Sequence, residues 1–104
     1  MPNFLYVYHG GSRPETQEEI DKTMAAWGQW METNGPALVD GGNPVGMSKT
    51  VSSGGIADDG GANPASGYTI IKADSLETAC AIASSNPMVV DGSGSVEVAE
   101  IIEM

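Results

Sequence analysis

The run WGQWMETNGPALVDGGNPVG (residues 27–46) holds the end of an amphipathic helix, its stop signal, a short strand and a rigid acidic turn. Gly35 after Asn34 supplies a left-handed stop, and Pro36 prevents the helix from resuming. Residues 37–40 (ALVD) then read as a strand of a few residues, closed by Gly41-Gly42-Asn43-Pro44. Upstream, Thr16-Gln17-Glu18-Glu19 is a capping box that starts the helix. Ile20, Met24, Trp27 and Met31 recur at helical spacing and form its apolar stripe, whereas Glu18, Asp21, Lys22, Gln29 and Glu32 lie largely off it.

Further out, residues 4–9 (FLYVYH) are aromatic and β-branched and end at Gly10-Gly11, which predicts a strand. Phe4, Tyr6 and Tyr8 point one way, and Leu5, Val7 and His9 the other. Both faces are apolar, as expected for a strand covered on two sides. Downstream, residues 48–53 (SKTVSS) alternate weakly and predict a short extra strand, and residues 54–66 (GGIADDGGANPAS) read as a loop. Residues 67–73 (GYTIIKA) return to strand character. Asp74 or Ser75 caps a second helix with Leu76, Ala79, Cys80 and Ala83 as its buried stripe, ended by Asn86-Pro87. Residues 95–102 (SVEVAEII) make the last strand, with Val96, Val98 and Ile102 on one face and Ala99 and Ile101 on the other. The order predicts one domain over residues 1–104: a ferredoxin-like α+β fold, βαββαβ with a short extra strand. Its antiparallel sheet carries two helices on one face. The other face needs a cover, and a second copy is the economical one, so a homodimer with sheets face to face is expected.

Fourteen acidic residues against four basic ones give a formal charge of −10, which repels phosphate backbones and anionic membranes. No nucleic-acid or membrane partner is expected. One cysteine excludes an intrachain disulfide and a cysteine-based zinc site and points to a reducing cytoplasm. The start, MPNFLYVYHGG, lacks the basic region of a signal peptide, and its apolar run is too short for a membrane span.

Residues 24–44 (MAAWGQWMETNGPALVDGGNP), the Gly67-Tyr68-Thr69-Ile70-Ile71 strand, the Ser75-Leu76-Glu77-Thr78-Ala79 helix start, Asn86-Pro87 and the closing Val96-Glu97-Val98 together resemble the YCII-related family, including its DGPF branch. The resemblance covers nearly the whole chain. It implies a dimeric α+β barrel of ferredoxin-like protomers, mostly bacterial and cytoplasmic, with a cleft between sheet and loops and with biochemical roles mostly unassigned. Members often carry a histidine on the first helix, eleven residues before its terminating glycine, paired with a nearby aspartate. Here that count lands on Met24, which can neither move a proton nor orient a nucleophile. The DGPF signature is also absent: Asp59-Gly60-Gly61 occupies about the right loop without the following Pro-Phe.

Chemistry must therefore be drawn from few groups. His9 and Asp40 end strands that run parallel in this fold, and a carboxylate within reach would fix the imidazole tautomer and raise its basicity. The plainer alternative is a strand-end histidine and an aspartate capping its own turn. Tyr8, Trp27, Gly41, Gly42, Asn43, Pro44 and Tyr68 are the candidate pocket residues, although core and interface packing needs aromatics equally. Asp58-Asp59 with Asp40 has no fixed ligand spacing, so no metal is expected, and no phosphate loop or dinucleotide fingerprint implies a cofactor. Arg13, just before the first helix, is a conceivable anion contact, and Cys80 reads as core. Two functions remain open at this level: a non-catalytic small-molecule binder, or a cofactor-free isomerase or lyase using His9 and Asp40 on a small cyclic or aromatic compound.

Overall fold

The computed structural model describes residues 1–11 and 14–104. Arg13 lies outside the described residues. Among the described residues, six strands and three α-helices follow in the order β1 (Asn3–Gly10), α1 (Gln17–Thr33), β2 (Leu38–Asp40), β3 (Thr50–Ser52), β4 (Gly55–Ala57), β5 (Ala65–Lys72), α2 (Leu76–Ala83), α3 (Pro87–Val90) and β6 (Gly94–Glu100). A 3-10 turn, Gly35–Ala37, joins α1 to β2; Gly35 opens this turn and is not the left-handed stop read from the sequence, α1 ending instead at Asn34. The main sheet has the order β2-β5-β1-β6 with every pair antiparallel. Each long helix thus crosses between strands that are parallel but separated by one other strand, which is the ferredoxin-like α+β arrangement expected from the sequence.

Thr16 caps α1 as read, its Oγ1 accepting from Glu19 N at 3.1 Å, while Glu19 Oε2 reaches one residue past the cap amide and accepts from Glu15 N at 3.0 Å. Strand alternation also holds. Phe4, Tyr6 and Tyr8 of β1 are buried under the helices with Ile71 of β5, joined by Trp30, Ala79, Ala83 and Met88. Burying one such large side chain contributes about 1.5–3 kcal/mol. Leu5, Val7 and His9 occupy the opposite face and are only half-buried.

Several expectations need correction. Met24 is 68% exposed, and the inward side of α1 runs instead through Ile20, Thr23, Trp27, Trp30 and Met31. The two indole rings, the largest groups available, set the rotation of the helix and turn Met24 outward. On α2, Ala79 and Ala83 are buried while Leu76 and Cys80 are exposed, because the small side chains let the helix approach the sheet. Asn86-Pro87 does more than stop α2: Asn86 Oδ1 accepts from Met88 N at 3.1 Å and Pro87 opens the short α3. The extra strand near residues 48–53 does not join the main sheet. It pairs with Gly55–Ala57, inside the stretch read as loop, as a hairpin turning at Ser53-Gly54. Val51 opposite Ile56 is its apolar cross-strand pair, and both are exposed. Ile102 lies beyond the last strand.

Candidate functional site

β2 is short because the chain leaves regular pairing at Gly41-Gly42 and then resumes beside β5. Tyr68 N donates to Asn43 O at 3.2 Å, Pro44 bridges to Gly67, and Val45 N donates to Ser66 O at 3.0 Å. The bulge between is fixed by Asp40, whose Oδ1 accepts from Gly42 N at 2.8 Å, and by Thr69, whose Oγ1 donates to Gly41 O at 3.0 Å. Residues 41–44 thereby form one wall of a cleft of about 530 Å³ whose other wall is α1. Tyr8, Trp27, Gly41, Gly42, Asn43, Pro44 and Tyr68 all line it.

The cleft exists because α1 touches down on the core through Trp30, while its preceding turns carry no buried residue. Trp30 Nε1 donates to Ser85 Oγ at 3.0 Å, which anchors that end of the helix. Trp27 stands edge-on to Tyr8, with ring centroids 5.3 Å apart at 81°. Between Trp27 and the sheet the cleft reaches Thr23, Ala26 and Met88, which the sequence had not singled out.

Beneath it runs a chain of polar groups. Asn86 Nδ2 points to Tyr8 Oη at 3.5 Å, Tyr8 Oη donates to Thr69 Oγ1 at 2.7 Å, and Thr69 Oγ1 in turn donates to Gly41 O at 3.0 Å. Thr69 and Asn86 are fully buried. Burial pushes the Tyr8 phenol above its ordinary value, so at neutral pH it remains a donor. Thr69 was legible only as a polar residue at an inward position of an otherwise apolar strand; Asn86 was hidden behind its role as a helix boundary.

His9 and Asp40 are not brought together. His9 pairs in register with Ala65 and Asp40 with Ile70, on opposite sides of β5. Five residues of strand separate those positions, roughly 16 Å at about 3.3 Å per residue, too far for a hydrogen bond. Asp40 caps its own turn. His9 sits on the open face of the sheet, with Nε2 2.9 Å from Glu97 Oε1 of β6 and Nδ1 3.3 Å from Pro64 O. Neither residue lines the cleft. The parallel strands that motivated the pair are present, but the bulge and stagger of β2 move its end along the sheet.

Both imidazole nitrogens of His9 face oxygen acceptors, so the imidazolium, which donates from each, satisfies the site. Its pKa is accordingly raised above 6.5, chiefly by the Glu97 hydrogen bond. A raised folded-state pKa means that this contribution to stability is complete below the unfolded imidazole's value and is lost as pH rises through the folded one. With a single histidine in the chain, an NMR titration reads this directly. The midpoint should exceed 6.5 and fall in Glu97→Gln; a midpoint at or below 6.5 in the unmodified protein would refute the pairing.

Among the described residues, no group of three or more His, Cys, Asp or Glu is placed to hold a metal ion. Asp58 pairs with Lys49 at 3.3 Å, and Asp59 Oδ1 accepts from Gly61 N at 3.1 Å. Among the described residues, no helix is long and apolar enough to cross a membrane.

No protein-family model matches the chain, and no curated protein does. Among solved structures, the fold is similar to that of 5-chloro-2-hydroxyhydroquinone dehydrochlorinase from Burkholderia phenoliruptrix AC1100, in complex with 2,5-dihydroxybenzoquinone. The match has a TM-score of 0.57 and 15% identity, covering 96% of this chain and 95% of that one. At that identity the likeness concerns the fold.

Proposed function

We propose that this chain is a YCII-related protein that binds a small, flat, ring-shaped molecule in the cleft between α1 and the turn at residues 41–44. The observation that carries the reading is the perpendicular Tyr8–Trp27 pair lining a cleft of about 530 Å³ over a satisfied buried polar network. A volume of this order suits a small organic ligand, and an aromatic wall with a few fixed polar groups is the usual composition of such sites. The structural neighbour supports the same reading, since its ligand is an oxygenated six-membered ring.

The enzymic alternative, cofactor-free isomerase or lyase chemistry, draws support from that neighbour being a dehydrochlorinase. His9 and Asp40 lie apart and outside the cleft, and the buried Tyr8 phenol keeps its proton in a hydrogen bond to Thr69, so we favour binding over turnover. In this reading the protein is cytoplasmic and works as a homodimer. The half-exposed sheet face bearing Leu5, Val7, Tyr68 and Ile70, with Val39 51% exposed beside it, is the surface that a second copy would cover.

Calorimetric titration with 2,5-dihydroxybenzoquinone, followed by amide shift mapping, tests the cleft. We expect saturable binding with a Kd below about 1 mM, shifts centred on residues 41–44 and Tyr8, and about tenfold weaker binding in Trp27→Leu. No saturation at millimolar ligand, or shifts confined to other surfaces, would overturn the reading.

A further inference from the structure

Resting on that cleft reading, we propose that the cleft selects a ring bearing an anionic oxygen, a carboxylate or phenolate, and that Lys22 supplies the counter-charge as a specificity-determining residue. The chain has only four basic residues at a net charge of −10. Among the described residues, Lys49 is engaged with Asp58 and neither Lys22 nor Lys72 forms an ion pair, but of these three only Lys22 lines the cleft. That is informative because Glu18 stands four residues before Lys22 on α1, the orientation in which a helical Glu–Lys pair is most favourable. The pair does not form, and the lysine is placed at the cleft instead.

Two further groups await a partner. The hydroxyl oxygens of Ser66 and Ser93, both cleft-lining residues, are buried and find no hydrogen bond among the described residues. A buried hydroxyl left unpaired is unfavourable, and a serine can rotate about one bond to meet a ligand oxygen. Asp91, beside Ser93, also lines the cleft and carries the opposite charge, with Oδ1 accepting from Ser93 N at 2.8 Å. It disfavours an anion near itself but can accept a hydrogen bond from a ring hydroxyl. Lys22 and Asp91 together therefore suit a hydroxylated aromatic acid, with its charge towards α1 and its hydroxyl towards Asp91.

The test compares 4-hydroxybenzoate with its neutral isostere 4-hydroxybenzamide by ligand-observed NMR at low salt, in the unmodified protein and in Lys22→Gln. We expect the acid to bind about three- to tenfold more tightly than the amide, the preference to disappear in Lys22→Gln, and added salt to shrink it. In Asp91→Asn the acid should bind no worse. Equal binding of acid and amide, or a preference that survives Lys22→Gln, overturns the role of Lys22 while leaving the cleft reading in place. Failure of both ligands to bind a protein that binds 2,5-dihydroxybenzoquinone in the cleft overturns the selectivity alone, whereas failure of all three overturns the cleft reading as well.

Discussion

Gly42→Ala is expected to lower stability by about 3 kcal/mol and to abolish ligand binding. A Cβ at this position would stand 1.7 Å from the Tyr68 carbonyl oxygen and 2.6 Å from its carbon. Those are backbone atoms of a central strand and cannot move aside. The residue also has φ +72°, which costs a side-chain-bearing residue about 1–2 kcal/mol before any clash. Relief requires the turn to swing away from β5, which breaks the Asp40–Gly42 cap and the Thr69–Gly41 and Tyr68–Asn43 hydrogen bonds together. Thermal unfolding should show a fall in Tm of roughly 10–20 °C. Gly46→Ala is the control, because nothing lies within 4 Å of its Cβ. A Gly42→Ala protein melting as the unmodified one does would show that the turn is not packed against β5 as described.

Val7→Lys should convert a dimer to a monomer while leaving the protomer folded. Val7 lies on the half-exposed sheet face, opposite Tyr68 on β5 and Glu97 on β6. In the protomer the new ammonium gains Glu97 as a cross-strand neighbour, so the expected change in protomer stability is small. Between two face-to-face sheets the same ammonium would be withdrawn from water near its symmetry mate. Desolvation and like-charge repulsion of several kcal/mol correspond to about a thousandfold weaker association. Sedimentation equilibrium at about 10 μM should therefore give a dimer for the unmodified chain and a monomer for Val7→Lys. A monomeric unmodified chain would remove the face-to-face dimer.

The fold was legible where local chemistry and global packing agree. Thr16 caps α1, Phe4, Tyr6 and Tyr8 alternate on β1, and two helices cover one side of the sheet, each as the pattern requires. Helix rotation was less legible. Periodicity placed Trp27, Ala79 and Ala83 correctly on the inward stripes, but a stripe has an angular width, and packing left Met24, Leu76 and Cys80 exposed while bringing in Trp30. The hairpin Thr50–Ala57 was missed in part because three-residue strands rich in Ser and Gly carry little alternation.

By itself the sequence determined the order of the main-sheet strands and the two longer helices, the inward face of β1, the amino-terminal helix caps and the acidic turn, all properties of residues near one another in the chain. Only the tertiary structure decided which polar groups meet. Asn86, Tyr8, Thr69 and Gly41 come from four separate segments and join in one buried network. His9 and Asp40, both at strand ends, are held apart because register, including the irregularity between Leu38 and Asp40, sets position along a strand. Strand type can be read from side-chain alternation, whereas stagger depends on the hydrogen bonds made to other strands. The turn at residues 40–44 therefore builds the cleft wall, with Asp40 acting on its own backbone, and the open chemistry of the cleft falls to Tyr8, Lys22 and the hydroxyls around them.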